Sequence, residues 1–501
     1  MNERQRSQVR DSARYLREVR PLDPGELSEY VEGQPHPAVV RQVLREEATA
    51  LGLLEREDGR FEPVPERPVE TRHDNVERLP AGVEQAVEDL LVKRFGPGWP
   101  DGESGARLRS TVRDFKQQYL AGGTVTYDEV TALGYTVYHL PSYFAAVQYA
   151  IAELADAGLL PRRLRVLDIG AGVGGPALGL AAFVDSETLL EYHAVEPSEA
   201  SAAVLEELLA ETGRNVHTTV HRERVETFEP PSSGFDLVLF ANVLSELEEP
   251  ATQMRRATDW LDPDGSVVAL APADRNTATG LREVERAVEE RTGAGVYAPT
   301  VRLWPHERPA SSSWSFVRET RLDTPAFQRR LDEGERTPGE QPGSLDTPDG
   351  ETRSDGRDGS GEGDPPRRPG DGEFTNVSVQ YAYSVLRLDG EQAVTFRPDT
   401  GRVAKLATSE RHVTDRVDCV AVKLSPDLSP GGNPVFLVGD GSQQIDHFAV
   451  LTEQSTLNDA LLTADYGDLL AIENTLVLWN DDEGAYNLVV DSETIVDRIP
   501  A

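Results

Sequence analysis

The sequence predicts an α/β core, a doubly wound sheet of the nucleotide-binding kind, set between a helical N-terminal module and a small C-terminal β-barrel. Three stretches carry that prediction. Leu164 to Leu180 (LRVLDIGAGVGGPALGL) reads as a buried strand that runs into a glycine loop and then a helix. Phe235 to Leu247 (FDLVLFANVLSEL) repeats the passage from strand to helix. From about 391 to 501, short runs alternate apolar and polar residues between Gly, Asp and Asn turns, which indicates a barrel.

Residues 1–68 read as a separate module in winged-helix order. The helix-spaced start of the chain is followed by a short helix over Asp23–Val31. Another helix, from Pro37 to Leu51, places Val40, Val43, Leu44, Ala48 and Leu51 on one face. Leu53 to Phe61 then turns about Asp58-Gly59 as a hairpin. Arg6, Arg10, Arg14 and Arg17 recur at helical spacing, a stripe that fits either nucleic-acid contact or a solvated face on a protein-binding module with Glu46 and Glu47 nearby.

The core spans 80–336. An aromatic-rich stretch, Tyr127 to Leu154, is broken at Leu140-Pro141 between two helices. In the glycine loop, Gly170, Gly172 and Gly174 allow close backbone approach to a ligand, and Asp168 stands at the strand's carboxyl end. Gly170, Gly172 and Gly175 also satisfy the dinucleotide pattern G-x-G-x-x-G, so the loop alone leaves the cofactor open. Leu189 to Val195 is a second strand ending in Glu196, where such folds place a ribose-binding carboxylate. After the strand opened by Phe235-Asp236, Leu261-Asp-Pro-Asp-Gly265 turns into another strand. Residues 374–390 supply a returning strand.

The order Asp-x-Gly-x-Gly, acidic second strand end, Phe-Asp-Leu-Val and Leu-x-Pro-x-Gly resembles the class I S-adenosylmethionine-dependent methyltransferases. Three further segments sharpen the likeness: Tyr135-x-x-Tyr138-x-Leu-Pro-x-Tyr143, Asn242-Val-Leu-Ser-Glu-Leu247, and Trp304-Pro-His-Glu-Arg-Pro309 followed by Trp314-Ser-Phe316. Together they are similar to the methyltransferase-like family of mitochondrial small-ribosomal-subunit assembly proteins and its bacterial and archaeal relatives. The resemblance covers about 80–335 and resumes at Val377–Arg387. It implies S-adenosylmethionine as cofactor and small-subunit ribosomal RNA, or an assembling small subunit, as partner. On that reading Asp168, Gly170, Gly172 and Gly174 cradle the methionine and ribose end, Glu196 accepts from the ribose hydroxyls and Asn242 lines the substrate side.

One departure is chemical. Members of that family carry four cysteines thought to hold an iron–sulfur cluster, whereas the first three positions here are Trp304, Ala310 and Ser315, and only Cys419 remains. A single thiolate cannot hold a four-ligand cluster, so no metal is expected. The Trp304 and Trp314 rings are expected to pack the space instead, and His306 beside them reads as structural. A second departure concerns catalysis. Val243 and Leu244 replace the prolines of the usual Asn-Pro-Pro-aromatic turn, and the core holds no cysteine nucleophile. His193 and His221 are bases without a visible orienting partner. A catalytic motif is therefore not identifiable, and whether the chain is an active enzyme stays open.

In the barrel, 391–501, strands are expected at Val417–Val422, Pro434–Gly439, Leu469–Trp479, Tyr486–Val490 and Thr494–Arg498. Their pattern resembles an oligonucleotide-binding (OB-like) barrel. Trp479, Phe448 and Tyr486 are either stacking platforms or core. Residues 337–373, with Leu345 the one large apolar side chain, cannot offset ordering entropy and read as a disordered acidic linker or insertion.

The net charge is −37, from 87 acidic and 50 basic residues, and only four of the basic residues are lysine, a surface suited to molar salt. That balance argues against nucleic acid except where a local basic patch docks. One cysteine excludes a disulfide framework and, with no apolar signal core at the start, fits a cytoplasmic protein. The apolar run Val166–Val184 carries Asp168 and the loop glycines, so no membrane span is expected. Three functions stay in play: a methyl-donor-binding protein of small-subunit assembly, an active RNA or protein methyltransferase, and a winged-helix DNA regulator with a cofactor-sensing core.

Overall fold

A computed structural model describes all residues except 72–75, 121–127, 311–312, 321, 338–371 and 501, with the backbone alone at 116–120. The segment assigned to a disordered linker, 337–373, thus lies outside the described residues but for Thr337, Gly372 and Glu373. The chain forms two compact units. One holds Met1–Gly96, Thr126–Ala241 and Asp259–Ser266; the other holds Pro97–Val125, Asn242–Thr258 and Val267–Ala501.

The first unit opens with α1 (Glu3–Leu16), α2 (Pro24–Glu29), α3 (Pro37–Glu46) and α4 (Ala48–Leu51), then strands β1 (Leu53–Glu55) and β2 (Phe61–Pro63), paired antiparallel. Local chemistry fixes the helix starts. Asn2 and Gln5 form a reciprocal capping box, Asp23 caps α2 ahead of Pro24, and His36 caps α3 ahead of Pro37. The single helix expected over Pro37–Leu51 is interrupted at Glu47, with φ −100° and ψ 2°, and α4 ends on left-handed Gly52. Val9, Leu27, Val40, Val43, Leu44, Leu53 and Phe61 pack one core. Leu54 and Ala48 leave that core to pack on Leu189, and Asn215 brackets Glu55 by accepting from its N–H (2.8 Å) and donating to its carbonyl (3.3 Å). The module is therefore fastened to the sheet that follows.

Next come α5 (Ala81–Phe95), then α6 (Gly102–Leu120), which belongs to the second unit, then α7 (Glu129–Tyr138) and α8 (Leu140–Asp156), with His139 alone between the last two. The sheet follows as β3 (Arg163–Ile169), α9 (Gly175–Phe183), β4 (Leu189–Val195), α10 (Glu199–Leu209), β5 (Val216–His221) and β6 (Phe235–Ala241). Strand order is β5-β4-β3-β6, every pair parallel. Buried on both faces, β3 and β6 are nearly continuous runs of Leu, Val, Ile and Phe. Helix α9 lies so close to α8 that a Cβ on Gly179 would stand 2.5 Å from the Phe144 carbonyl oxygen.

The helix expected directly after β6 is a 3-10 turn at Leu244–Glu246, and α11 (Pro250–Thr258) starts at the proline beyond it. Strand β7 (Leu261–Pro272) opens in the first unit and closes in the second. The second unit continues with α12 (Arg275–Arg291), β8 (Gly295–Ala298), β9 (Val317–Glu319), α13 (Ala326–Glu333) and β10 (Val379–Arg387). Here β10 returns between β7 and β8, antiparallel to β8 and to β9.

The barrel comprises β11 (Arg416–Lys423), β12 (Val435–Gly439), β13 (His447–Leu451), α14 (Ala460–Thr463), β14 (Leu469–Asn480), β15 (Ala485–Val490) and β16 (Ile495–Arg498). Five strands close as β11-β12-β13-β15-β14 and back to β11. The β13–β15 pair is parallel, and β16 is added beside β14. Strand β13 is the one the sequence expectation omits. Its five residues, HFAVL, begin with a histidine whose ring is buried.

Candidate functional site

Strand β3 ends on Ile169 and the chain turns through Gly170, Gly172 and Gly174, all with positive φ (71°, 55° and 94°). These glycines are not equivalent. A Cβ on Gly174 would meet Leu205 Cδ1 of α10 at 2.5 Å, so that residue lets helices pack. Among the described residues, a Cβ on Gly172 would meet nothing nearer than the Gly170 carbonyl oxygen at 4.0 Å. The space over Gly172 is open, and its left-handed backbone disfavours a side chain there.

Two carboxylates stand at this loop. Glu196, at the end of β4 and 6% exposed, accepts from Gly172 N–H (2.9 Å) with one oxygen and from Ser198 N–H (2.7 Å) with the other. Burial raises its pKa, and the two backbone bonds pull it back. Asp168 is fully buried; its Oδ2 accepts from the Tyr192 hydroxyl at 2.6 Å, while its Oδ1 has no hydrogen-bond partner among the described residues. Burial pushes the Asp168 carboxyl up to about 7, the Tyr192 bond opposes that, and the Glu196 charge adds to it. A lone carboxylate oxygen in such a place is costly unless a ligand or a proton satisfies it. An open cradle, an unpartnered carboxylate oxygen and a carboxylate with spare lone pairs fit a cofactor that presents donors, as a ribose and an amino-acid head do.

Tyr192 is the participant that sequence reasoning missed. Val166 pairs with Tyr192 and Asp168 with Ala194, and this register, which no local pattern specifies, puts Tyr192 on the Asp168 side of the sheet. The same alternation puts His193 on the opposite face. His193 and His221 are not isolated: their ring nitrogens lie 3.1 Å apart, and the other His193 nitrogen is 3.1 Å from Glu191. This chain of bonded groups does have an orienting carboxylate, but it is turned away from the Asp168 face.

The structure thus gathers Asp168, Gly170, Gly172, Gly174 and Glu196 at one loop of the first unit. Asn242 belongs to the second unit, where it is 7% exposed, has φ 62° and donates its backbone N–H to the Leu270 carbonyl. Also in the second unit, Trp304 is buried and donates to Asp440 (2.6 Å), Trp314 donates to the Ala273 carbonyl (2.7 Å), and Ser315 pairs with the Tyr466 hydroxyl (2.7 Å). Cys419 sits apart from Trp304 in the barrel's inner core, its thiol pushed up to about 12 by burial first and by the Asp440 and Asp418 charges after that. Among the described residues no group of three or more His, Cys, Asp or Glu is placed to hold a metal ion. Nor is any helix among them long and apolar enough to cross a membrane.

Of the barrel aromatics, Tyr486 belongs to the core. Phe448 is half-buried, and Trp479, 39% exposed, meets Tyr486 edge-on and donates to Asp481. The arginine stripe of α1 is largely neutralised inside its own module. Arg6 pairs with Glu46 (2.5 Å), Arg10 with Glu47 (2.6 Å), and Arg17 bonds to Glu18 (3.0 Å) and the Leu51 carbonyl. Arg41 and Arg45 of α3 likewise converge on buried Glu55.

Comparison with known proteins separates the two cofactor readings. Residues 167–267 match the methyltransferase domain family. The core is methyltransferase-like, and S-adenosylmethionine is its cofactor. Residues 6–57 and 407–499 match the N-terminal and C-terminal domains of a family described as a domain of unknown function, DUF8157. Over 129 residues the chain is 34% identical to ribosomal RNA small subunit methyltransferase G of Methylorubrum populi, covering 26% of this chain and 57% of that protein. The chain thus spans little more than half the length of this curated relative. Among solved structures, it is similar to the plantazolicin methyltransferase BpumL in complex with SAH (13% identity, TM-score 0.27, 43% of this chain and 81% of that one). It is also similar to a putative S-adenosyl-L-methionine-dependent methyltransferase of Methanococcus maripaludis (13% identity, TM-score 0.28, 35% and 89%).

Proposed function

We propose that this chain binds S-adenosylmethionine through Asp168, Gly170, Gly172, Gly174 and Glu196 and serves the RNA of the small ribosomal subunit. The observation that carries the reading is the pair of buried carboxylates at the glycine loop, one with an oxygen that lacks a partner and one tied to Gly172. Bound there, S-adenosylmethionine supplies an electrophilic methyl group. Glu196 would accept from the ribose hydroxyls with its remaining lone pairs, Asp168 would accept from the amino-acid or ribose end, and Gly172 would leave room for both. The ribosomal RNA assignment is supported by the likeness to a small-subunit rRNA methyltransferase. A barrel with strand order 1-2-3-5-4-1 and a helix between its third and fourth strands also supports it, which we read as OB-like. We read the N-terminal helices and hairpin as a winged helix used for structural attachment, because its arginines face their own acids and its hairpin is bracketed by Asn215. Crosslinking in cells followed by sequencing of the bound nucleic acid tests the reading: small-subunit rRNA enriched over other RNA supports it, and promoter DNA or no nucleic acid overturns it.

A further inference from the structure

Tyr192 is buried beside Asp168, and among the described residues its hydroxyl has no hydrogen-bond partner but the Asp168 carboxylate, 2.6 Å from Oδ2. The phenol hydrogen is therefore committed to Oδ2. Asp168 pairs with Ala194 between β3 and β4, so Tyr192 and Glu196 stand before and after it on the same face of the neighbouring chain. On the other side, β6 turns Leu237, Leu239 and Ala241 to that face. The titratable groups that act on Asp168 are Tyr192, a neutral donor, and Glu196, a like charge; no cation is among them.

A buried carboxyl with one neutral donor, a like charge beside it and a second oxygen without a partner holds a proton in preference to a charge below neutral pH. Tyr192 decides which oxygen carries it. The protonated oxygen of a carboxylic acid is the weaker acceptor, so a phenol that donates to Oδ2 leaves the proton on Oδ1. That is the oxygen left over to accept from a ligand.

We propose that Tyr192 is a positioning residue that reserves Asp168 Oδ1 for the cofactor, and that S-adenosylmethionine binds by displacing a proton from that oxygen into solvent. The exchange presupposes the cofactor reading above and adds its regulation: the loop loads as pH rises and empties as pH falls. A carboxyl protonated in the free chain and ionised in the complex makes affinity fall about tenfold for each unit of pH below its titration in the free chain, and leaves affinity level above it. The Tyr192 bond favours the ionised form, so its removal moves that break to higher pH.

The test is calorimetric titration of S-adenosylmethionine into the full chain from about pH 5.5 to about pH 7, each point in two buffers of different ionisation enthalpy, which counts the protons released per cofactor bound. Asp168→Asn, which has no carboxyl to titrate there, is the reference, and the difference from it removes protons that come from Glu196 or from the cofactor itself. The wild type should release about one proton more than Asp168→Asn at the lower end and about half a proton more at the upper end, with an affinity that rises more steeply with pH. Tyr192→Phe should bind more weakly and release more protons than the wild type at about pH 7, a shift that a purely structural loss does not produce. Equal proton release by the wild type and Asp168→Asn overturns the exchange, and a Tyr192→Phe profile parallel to the wild type overturns the positioning role. If the wild type binds no S-adenosylmethionine at any pH, the cofactor reading itself falls; if it binds with no proton released, only the exchange falls.

Discussion

Asp168→Asn isolates the cost of holding a buried carboxylate at the loop. The Asp168 carboxyl titrates at about 7 in the folded chain against an ordinary 3.8, and burial is the main cause. An acid whose pKa is raised by folding contributes stability that is full below the unfolded value and is lost as pH rises to the folded one, because the native state holds a proton that the unfolded state has released. Across that interval of roughly three units, at about 1.4 kcal/mol per unit, the loss reaches about 4 kcal/mol as an upper bound. Asparagine has the same shape, and its carbonyl oxygen can accept from the Tyr192 hydroxyl as Asp168 Oδ2 does, but it does not ionise. Urea unfolding of both proteins without ligand, from about pH 4 to pH 8, should show the variant gaining on the wild type as pH rises, by a few kcal/mol at the upper end. Taking the difference between the two proteins cancels the many other carboxylates. A difference that stays flat across the range would refute the reasoning, since it would mean that Asp168 ionises as freely in the folded chain as in the unfolded one.

The loop glycines should separate into two kinds. Gly172→Ala should fold with a loss of about 1–2 kcal/mol from its left-handed backbone yet lose S-adenosylmethionine binding, whereas Gly174→Ala should lose more stability because Leu205 must move. Thermal melts with and without the cofactor distinguish the two. Cys419 should resist a thiol reagent until the chain unfolds, and Cys419→Ser should cost about 1–3 kcal/mol by placing a hydroxyl in the barrel core, measured by urea titration. Replacing Arg6 and Arg10 together by Ala should leave RNA binding unchanged in a filter-retention assay, since both already pair with Glu46 and Glu47; a marked loss of affinity would return the stripe to a nucleic-acid role.

What could be read in the sequence was what local pattern determines. The β3 run from Leu164 to Ile169 and the left-handed glycines after it follow from periodicity and backbone sterics, and so do the helix break at His139 before Leu140-Pro141 and the hairpin about Gly59. Contacts between distant segments were not legible. No local pattern says that Tyr192 reaches Asp168, that His193 bonds His221, or that Glu46 and Glu47 cancel Arg6 and Arg10, because each depends on register or on helix packing. A lone cysteine in a strand does not tell what surrounds it, and only the closed barrel places the Cys419 thiol among Ala421, Leu470 and Ile472. Strand β13 is not legible from local pattern, since it opens on His447, polar by type, whose ring is buried against Ser409 and the Ile445 carbonyl.

Calorimetric titration of S-adenosylmethionine into the wild type and into Glu196→Ala tests the central claim most directly. In the proposed site Glu196 would offer charge-assisted acceptors to the ribose, and it accepts from the Gly172 N–H. Bonds of that kind are worth about 1.5–3 kcal/mol, so the wild type should bind one cofactor per chain and the variant about tenfold to a hundredfold more weakly. Equal affinity in the two proteins, or no binding by the wild type, would contradict the account.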